Sequence, residues 1–177
     1  MCALEVAPAI GTDRLILRRP VKADAPAIAE LANDLGVAGM LARMPYPYRP
    51  ADAEAFLSRL GGENPRTEAT FAVEHREFGL IGMLGFREDQ PRRPEVGYWL
   101  GRPFWGRGYA TEALKAALAW ARQDWRKNVV WAGHFADNRA SGQVLVKAGF
   151  LYTGDVEPQD CLARGCKVPS RRMVWLA

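Results

Sequence analysis

The segment Trp105-Gly106-Arg107-Gly108-Tyr109-Ala110 runs directly into a helical stretch from Thr111 to Asp124, and it constrains this chain more than any other segment. Its two glycines leave the backbone bare where a helix begins. The first N–H groups of a helix have no intrahelical partner and sit at the positive end of its dipole, so a bare turn there suits a phosphate. The residues before it, Glu95-Val96-Gly97-Tyr98-Trp99-Leu100, read as a buried strand delivering the chain to that turn. Strand, glycine turn and helix together form an anion cradle. The Gly-Lys-Ser/Thr ending of a nucleotide-triphosphate loop is missing from it.

The remaining elements follow from periodicity. Arg14 to Arg18 alternates arginine with leucine and isoleucine, as a half-buried first strand does. Asp24 is expected to cap a helix with Pro26 in its first turn and Ile28, Leu31 and Leu35 along one face. A loop is expected from Gly36 to Pro50, then a second helix carrying Phe56, Leu57 and Leu60 and closed by Gly61-Gly62. Thr70 to Glu74 and Leu80 to Arg87 pair as a hairpin, and Arg92 to Leu100 is the next strand. After the cradle helix come a strand from Val129 to Phe135 and a helix from Ser141 to Ala148 stopped by Gly149. The last strands are Phe150 to Thr153 and Arg172 to Leu176.

At 177 residues and 49% apolar content the chain is long and hydrophobic enough for one α/β domain, read as spanning residues 1–177. No apolar run approaches the roughly 20 residues needed to span a bilayer, and Met1 to Thr12 lacks the pattern of a signal peptide. Cys2, Cys161 and Cys166 are read as free thiols of a cytoplasmic protein, the last two in a loop with no histidine near enough to complete a zinc site. The net charge is +4, with arginine pairs at Arg18-Arg19, Arg92-Arg93 and Arg171-Arg172. These read as solvated loop and strand-edge charges that also suit a polyanionic cofactor. No nucleic-acid motif stands beside them.

Three segments together resemble the GNAT superfamily of acyl-CoA-dependent N-acyltransferases, above all its RimJ/RimL-type branch. They are Glu95 to Leu100, then Phe104-Trp105-Gly106-Arg107-Gly108-Tyr109-Ala110-Thr111-Glu112-Ala113, then Asn138-Arg139-Ala140-Ser141 running to Lys147-Ala148-Gly149-Phe150. The opening Asp13-Arg14-Leu15-Ile16-Leu17-Arg18 matches the first strand of that branch. The resemblance implies an α/β (α+β) fold with a mixed, strongly bent central sheet flanked by about four helices. It implies a V-shaped splay between the fourth and fifth strands, here near Glu95 to Leu100 and Val129 to Phe135. The pantetheine arm of acetyl-CoA would lie in that V, and its pyrophosphate would meet the N–H groups of Gly106, Arg107, Gly108, Tyr109 and Ala110. One departure is Trp105, where the superfamily often has Gln or Arg. Arg102 and Arg107 are the arginines placed to reach a CoA phosphate, or are ordinary surface arginines.

The implied activity is direct transfer of an acetyl group to a primary amine, either a protein N-terminus or a small molecule. This needs a neutral amine, a polarised thioester carbonyl and a proton for the departing thiolate. The carbonyl is expected to meet backbone N–H near Trp99 or Leu100. Glu95 is carried over as the base or the group that orients the amine, against a solvated strand-end carboxylate. Many members place a tyrosine seven residues after the helix asparagine, where this chain has Leu145. The thiolate-protonating role is therefore carried to Ser141, against a first-turn cap, and Asn138 is expected to bond the pantetheine arm, against a cap as well. His134 is a second candidate base and His75 a weaker one. No cysteine lies near these motifs, which argues against an acyl-enzyme.

In this branch the loop between the first two helices borders the acceptor. Here Met40 to Tyr48 holds Met44, Tyr46 and Tyr48 and no carboxylate, which disfavours a polycationic acceptor. The rival reading is a non-catalytic acyl-CoA sensor on the same scaffold. Monomer and homodimer are the implied assembly states.

Overall fold

The computed structural model describes residues 9–177, so Cys2 and most of the lead-in before the first strand lie outside the described residues. All described strands join one mixed sheet in the order β1-β2-β3-β4-β5-β6-β8-β7. They are β1 (Ile10–Gly11), β2 (Leu15–Arg18), β3 (Glu68–His75), β4 (Gly79–Gln90), β5 (Arg93–Leu100), β6 (Val129–Phe135), β7 (Leu151–Cys161) and β8 (Cys166–Leu176). The helices are α1 (Ala25–Ala32), α2 (Leu35–Ala38), α3 (Pro50–Leu60), α4 (Tyr109–Gln123) and α5 (Arg139–Lys147). The described helices thus number five where about four were expected, the added one being the single turn α2. No described helix is long and apolar enough to cross a membrane.

The sheet is covered on both faces. Leu15, Leu17, Phe71, Ile81 and Leu84 pack with Leu114 and Leu118 of α4 and Leu145 of α5. On the other face Ala72 and Met83 meet Ile28 and Ala32 of α1 and Leu57 and Leu60 of α3. Alternation along β3, and along β4 beyond its bulge at Ile81, supplies one residue to each layer in turn. Each fully buried Leu or Phe in these layers contributes roughly 1.5–3 kcal/mol.

All neighbouring strands are antiparallel except β5 and β6, which run parallel and share one bridge, Glu95 with Trp131. Beyond that bridge the two strands part. They are the strands the sequence marked as fourth and fifth, one number higher because the short β1 precedes them. At the parting strand Gly82 of β4 lies opposite Leu100. A Cβ added at Gly82 would sit 2.1 Å from the carbonyl oxygen of Trp99, so only glycine lets β4 hug the end of β5.

Three expectations are corrected. Asp24 does not cap α1; its oxygens take Arg18 at 2.7 and 2.9 Å and the Val21 N–H at 2.8 Å, closing the turn before the helix. The stripe Ile28-Leu31-Leu35 is broken: α1 stops at Ala32, Asp34 starts α2 by accepting the Gly36 N–H at 2.7 Å, and Leu35 is exposed. The region 154–171 is not a loop but most of the long hairpin β7–β8, in which Cys161 and Cys166 pair across the turn as free thiols, the first buried and the second exposed.

Candidate active site

The cradle is built by Gly106 and Gly108, whose φ values of +72° and +80° lie in the left-handed region that favours glycine. The Arg107 carbonyl accepts from Arg14 Nη1 at 3.0 Å and the Gly108 carbonyl from the Glu112 N–H at 3.0 Å. Trans peptide planes then turn the N–H groups of Gly108 and Tyr109 to the opposite side. From Gly106 to Thr111, no backbone N–H donates to an acceptor among the described residues. Arg14 locks this geometry, bonding Glu112 at 2.7 Å and lying 4.5 Å over the Tyr109 ring. The Tyr109 side chain is buried and Ala110 packs on the core, so both offer the site their backbone; Arg107 is exposed. This arrangement fits the pyrophosphate of a CoA ester.

The splay is also rich in free backbone. The Gly101 N–H bonds the Ile81 carbonyl at 2.9 Å, which by antiparallel alternation turns Trp99 and Gly97 toward β4 and leaves Tyr98 and Leu100 facing β6. On the far arm, the Ala136 N–H to Pro169 bond likewise leaves Gly133 and Phe135 facing β5. Trp99 thus serves the β4 ladder with its backbone and the α1–α3 layer with its side chain. Leu100 is the better placed of the two expected residues. Its carbonyl is capped by the Trp105 indole N–H at 2.7 Å, a contact the sequence did not announce.

Tyr98 projects from β5 to the start of α5, where its phenol lies 2.9 Å from the Ser141 hydroxyl and 3.2 Å from the Ser141 carbonyl. Burial pushes this phenol up to about 12, so it remains protonated at neutral pH. Asn138 accepts the Ser141 N–H at 3.1 Å and so caps α5, its amide N–H₂ having no protein acceptor among the described residues.

Glu95 stands where the strands begin to part, and both of its oxygens are held by Arg172 of β8, at 3.1 and 2.7 Å. Arg172 is 7% exposed, which corrects the reading of it as solvated, whereas its neighbour Arg171 is exposed as expected. Hydrogen bonding to Glu95, against the cost of burial, raises the guanidinium above its ordinary value. Glu95 and Tyr98 lie on opposite faces of β5, so Glu95 and Ser141 flank the splay from two sides rather than touching.

The histidines are occupied. His134 Nδ1 is 2.8 Å from the Phe135 carbonyl and Nε2 is 3.0 Å from the Tyr152 hydroxyl. A carbonyl only accepts, so Nδ1 carries the proton and Nε2, the nitrogen with the free lone pair, accepts from the Tyr152 hydroxyl. His75 stacks on Phe78 and accepts the Glu77 N–H at 3.1 Å. Arg102 is paired with Asp34 at 2.5 and 2.6 Å while its side chain stays 58% exposed.

The expected acceptor loop is fastened at its start through Gly39 and Arg43, and at its end by the Tyr48 N–H, which Asn33 Oδ1 accepts at 3.0 Å. Arg43 bonds Asp89 at 2.8 Å, and Arg164 of the β7–β8 turn bonds the Gly39 carbonyl and Asp137, each at 2.6 Å. Tyr48 is buried in the α1–α3 layer with Met44 packed against it, whereas Tyr46 is exposed.

A family profile described as "Acetyltransferase (GNAT) domain" matches residues 14–151. Over 157 residues the chain is 29% identical to the uncharacterized N-acetyltransferase YoaA of Bacillus subtilis, covering 83% of this chain and 85% of that one. It is 31% identical over 91 residues to the ribosomal-protein-serine acetyltransferase of Escherichia coli, covering 49% and 50%. Among solved structures, Mycobacterium smegmatis RimJ in complex with CoA-disulfide matches with a TM-score of 0.84 at 20% identity, over 96% of this chain and 88% of that chain.

Proposed function

This chain belongs to the GNAT acetyltransferase family, and from that premise we propose that it moves the acetyl group of acetyl-CoA directly to the α-amine of a peptide or protein N-terminus. The observation that carries the reading is the continuity of the splay with the cradle: free strand backbone at Tyr98, Leu100 and Gly133 leads to the free N–H groups of Gly106 to Thr111. The whole chain is read as one acetyltransferase domain.

Acetyl-CoA supplies the activated acyl group. Its pyrophosphate is assigned to the backbone of Gly106, Arg107, Gly108, Tyr109 and Ala110, and its pantetheine amides to the strand edges and Asn138. The thioester carbonyl is assigned to the Leu100 N–H, where a fixed donor stabilises the charge that develops on oxygen. The amine attacks the thioester carbon from the Glu95 face and the carbon–sulfur bond breaks. The thiolate takes a proton from the Ser141 hydroxyl, which is hydrogen-bonded to Tyr98; the amine releases its extra proton to solvent, and solvent returns one proton to the Ser141–Tyr98 pair, so the sum balances. A thiolate near pKa 8.5 leaves readily enough that one donor suffices.

Glu95 orients the amine, because both of its oxygens are already engaged by Arg172. That favours an acceptor which is neutral without help. An α-amine at about 7.7–8.0 is roughly a quarter neutral near pH 7.4, whereas a lysine-like amine at about 10.4 is neutral in only about one part per thousand. The test is CoA-thiol release from acetyl-CoA across peptides with free N-termini, the same peptides blocked, and small amines. Consumption of the free peptides alone is expected. Preference for small amines would overturn the acceptor assignment, and no release with any amine would favour the acyl-CoA sensor.

A further inference from the structure

Arg172 reaches Glu95 by an unusual route. It stands on β8 opposite Gly133 of β6, and its guanidinium crosses that strand to bind a carboxylate on β5. A Cβ added at Gly133 would lie 2.7 Å from Arg172 Nη1, so the bare strand is what opens the path. The span matters because β5 and β6 share only the Glu95–Trp131 bridge. At the mouth of the splay, a side-chain clamp stands where backbone ladder is absent.

The clamp is also costly to build without a purpose. A guanidinium withdrawn from water needs its hydrogen bonds satisfied, and Arg172 Nε is buried with no partner within bonding distance; Glu157 is 3.8 Å away. The Glu95 side chain stays 45% exposed, open to the acceptor face while held from behind. A lysine could not reproduce the two-pronged grip, which fixes the plane of the carboxylate as well as its place.

We infer that Arg172 is the positioning residue for Glu95, fixing the carboxylate that meets the acceptor amine and tying β5 to β8 across Gly133. This rests on the reading of Glu95 as the group facing the amine. The same burial and pairing hold Arg172 on the inner side of the clamp, so its effect on catalysis passes through Glu95.

The test compares Arg172→Met, Arg172→Lys and Gly133→Ala with Glu95→Gln and the double variant Glu95→Gln/Arg172→Met, measuring kcat/KM for an acceptor peptide and the Kd of acetyl-CoA. Gly133→Ala displaces the guanidinium without removing its charge, and so keeps the question answerable if Arg172→Met folds poorly. Losses of about tenfold to a hundredfold in peptide kcat/KM are expected for Arg172→Met and Gly133→Ala, as for other outer partners of a functional group. Acetyl-CoA affinity should stay within about twofold in Arg172→Met, Arg172→Lys should recover part of the loss, and the double variant should lose no more than Glu95→Gln alone. Full peptide activity in Arg172→Met and Gly133→Ala, or additive losses in the double variant, would overturn the inference while the functional reading stands. Absence of thiol release by the wild-type enzyme would overturn both.

Discussion

The Tyr98 phenol lies 2.9 Å from the Ser141 hydroxyl, joining β5 to the first turn of α5 at the open end of the splay. The two residues are 43 positions apart in the chain. The contact joins two hydroxyls into a relay: burial raises the phenol to about 12, so it stays protonated at neutral pH and has a hydrogen to offer in a hydrogen bond to Ser141.

If the relay protonates the leaving thiolate, Ser141→Ala should lower kcat by about a hundredfold, within the range of general acid catalysis. Tyr98→Phe should cost about tenfold, since Ser141 keeps its own hydroxyl. Steady-state kinetics beside acetyl-CoA calorimetry check both. Equal losses in turnover and in acetyl-CoA affinity would remove the acid role from Ser141.

The cradle prediction concerns backbone alone. A Cβ at Gly106 meets nothing within 4 Å, so Gly106→Ala acts only through its positive φ. Holding alanine in that conformation costs roughly 1–2 kcal/mol, or the turn relaxes and its N–H groups lose their aim. Either way the acetyl-CoA Kd should rise about tenfold. A drop in Tm with unchanged Kd would make the turn a structural device only.

Arg164 fastens the loop expected to border the acceptor through Gly39, and the α5 turn through Asp137. Arg164→Ala should raise the KM for the acceptor peptide about fivefold, near 1 kcal/mol of lost hydrogen bonding, with acetyl-CoA binding unchanged. A change confined to the acetyl-CoA side would place this contact outside the acceptor path.

Asp34 carries a pH signature. Hydrogen bonds from Arg102, opposed by partial burial and helped by the Gly36 N–H, bring its carboxyl down to about 2. The ordinary value is near 3.9, so the stabilisation is complete above about pH 4 and is lost as the pH falls through the folded value. The Tm difference between the wild type and Asp34→Asn should therefore be steady from pH 7 to about pH 4, shrink below that, and be largely gone near the folded value of about 2. A difference independent of pH would show that the pair is not the source.

The parts read correctly from sequence were those whose signal is local. Val129 to Phe135 was bounded as it stands, and α3 with its glycine stop, the β3–β4 hairpin and Gly149 beyond α5, with φ of +99°, followed from periodicity and turn chemistry. The long hairpin β7–β8 was missed because β7 is exposed on both faces, so no alternation marks it. Its order comes from hydrogen bonds to one neighbour, which leave no trace in hydropathy.

The site divides along the same line. The sequence by itself determined the cradle, because glycines before a helix fix both the backbone path and the free N–H groups within a few residues. It also offered Glu95 and Ser141 as candidates for the chemistry, through the family resemblance of the segments that hold them. Only the tertiary structure decided their partners: Arg172 for Glu95, 77 positions away, Tyr98 for Ser141, and Tyr152 for the acceptor nitrogen of His134. The physical reason is that a helix or strand is written in spacings of two to four residues, whereas an ion pair across a splayed sheet depends on which strands are neighbours and on one missing Cβ at Gly133.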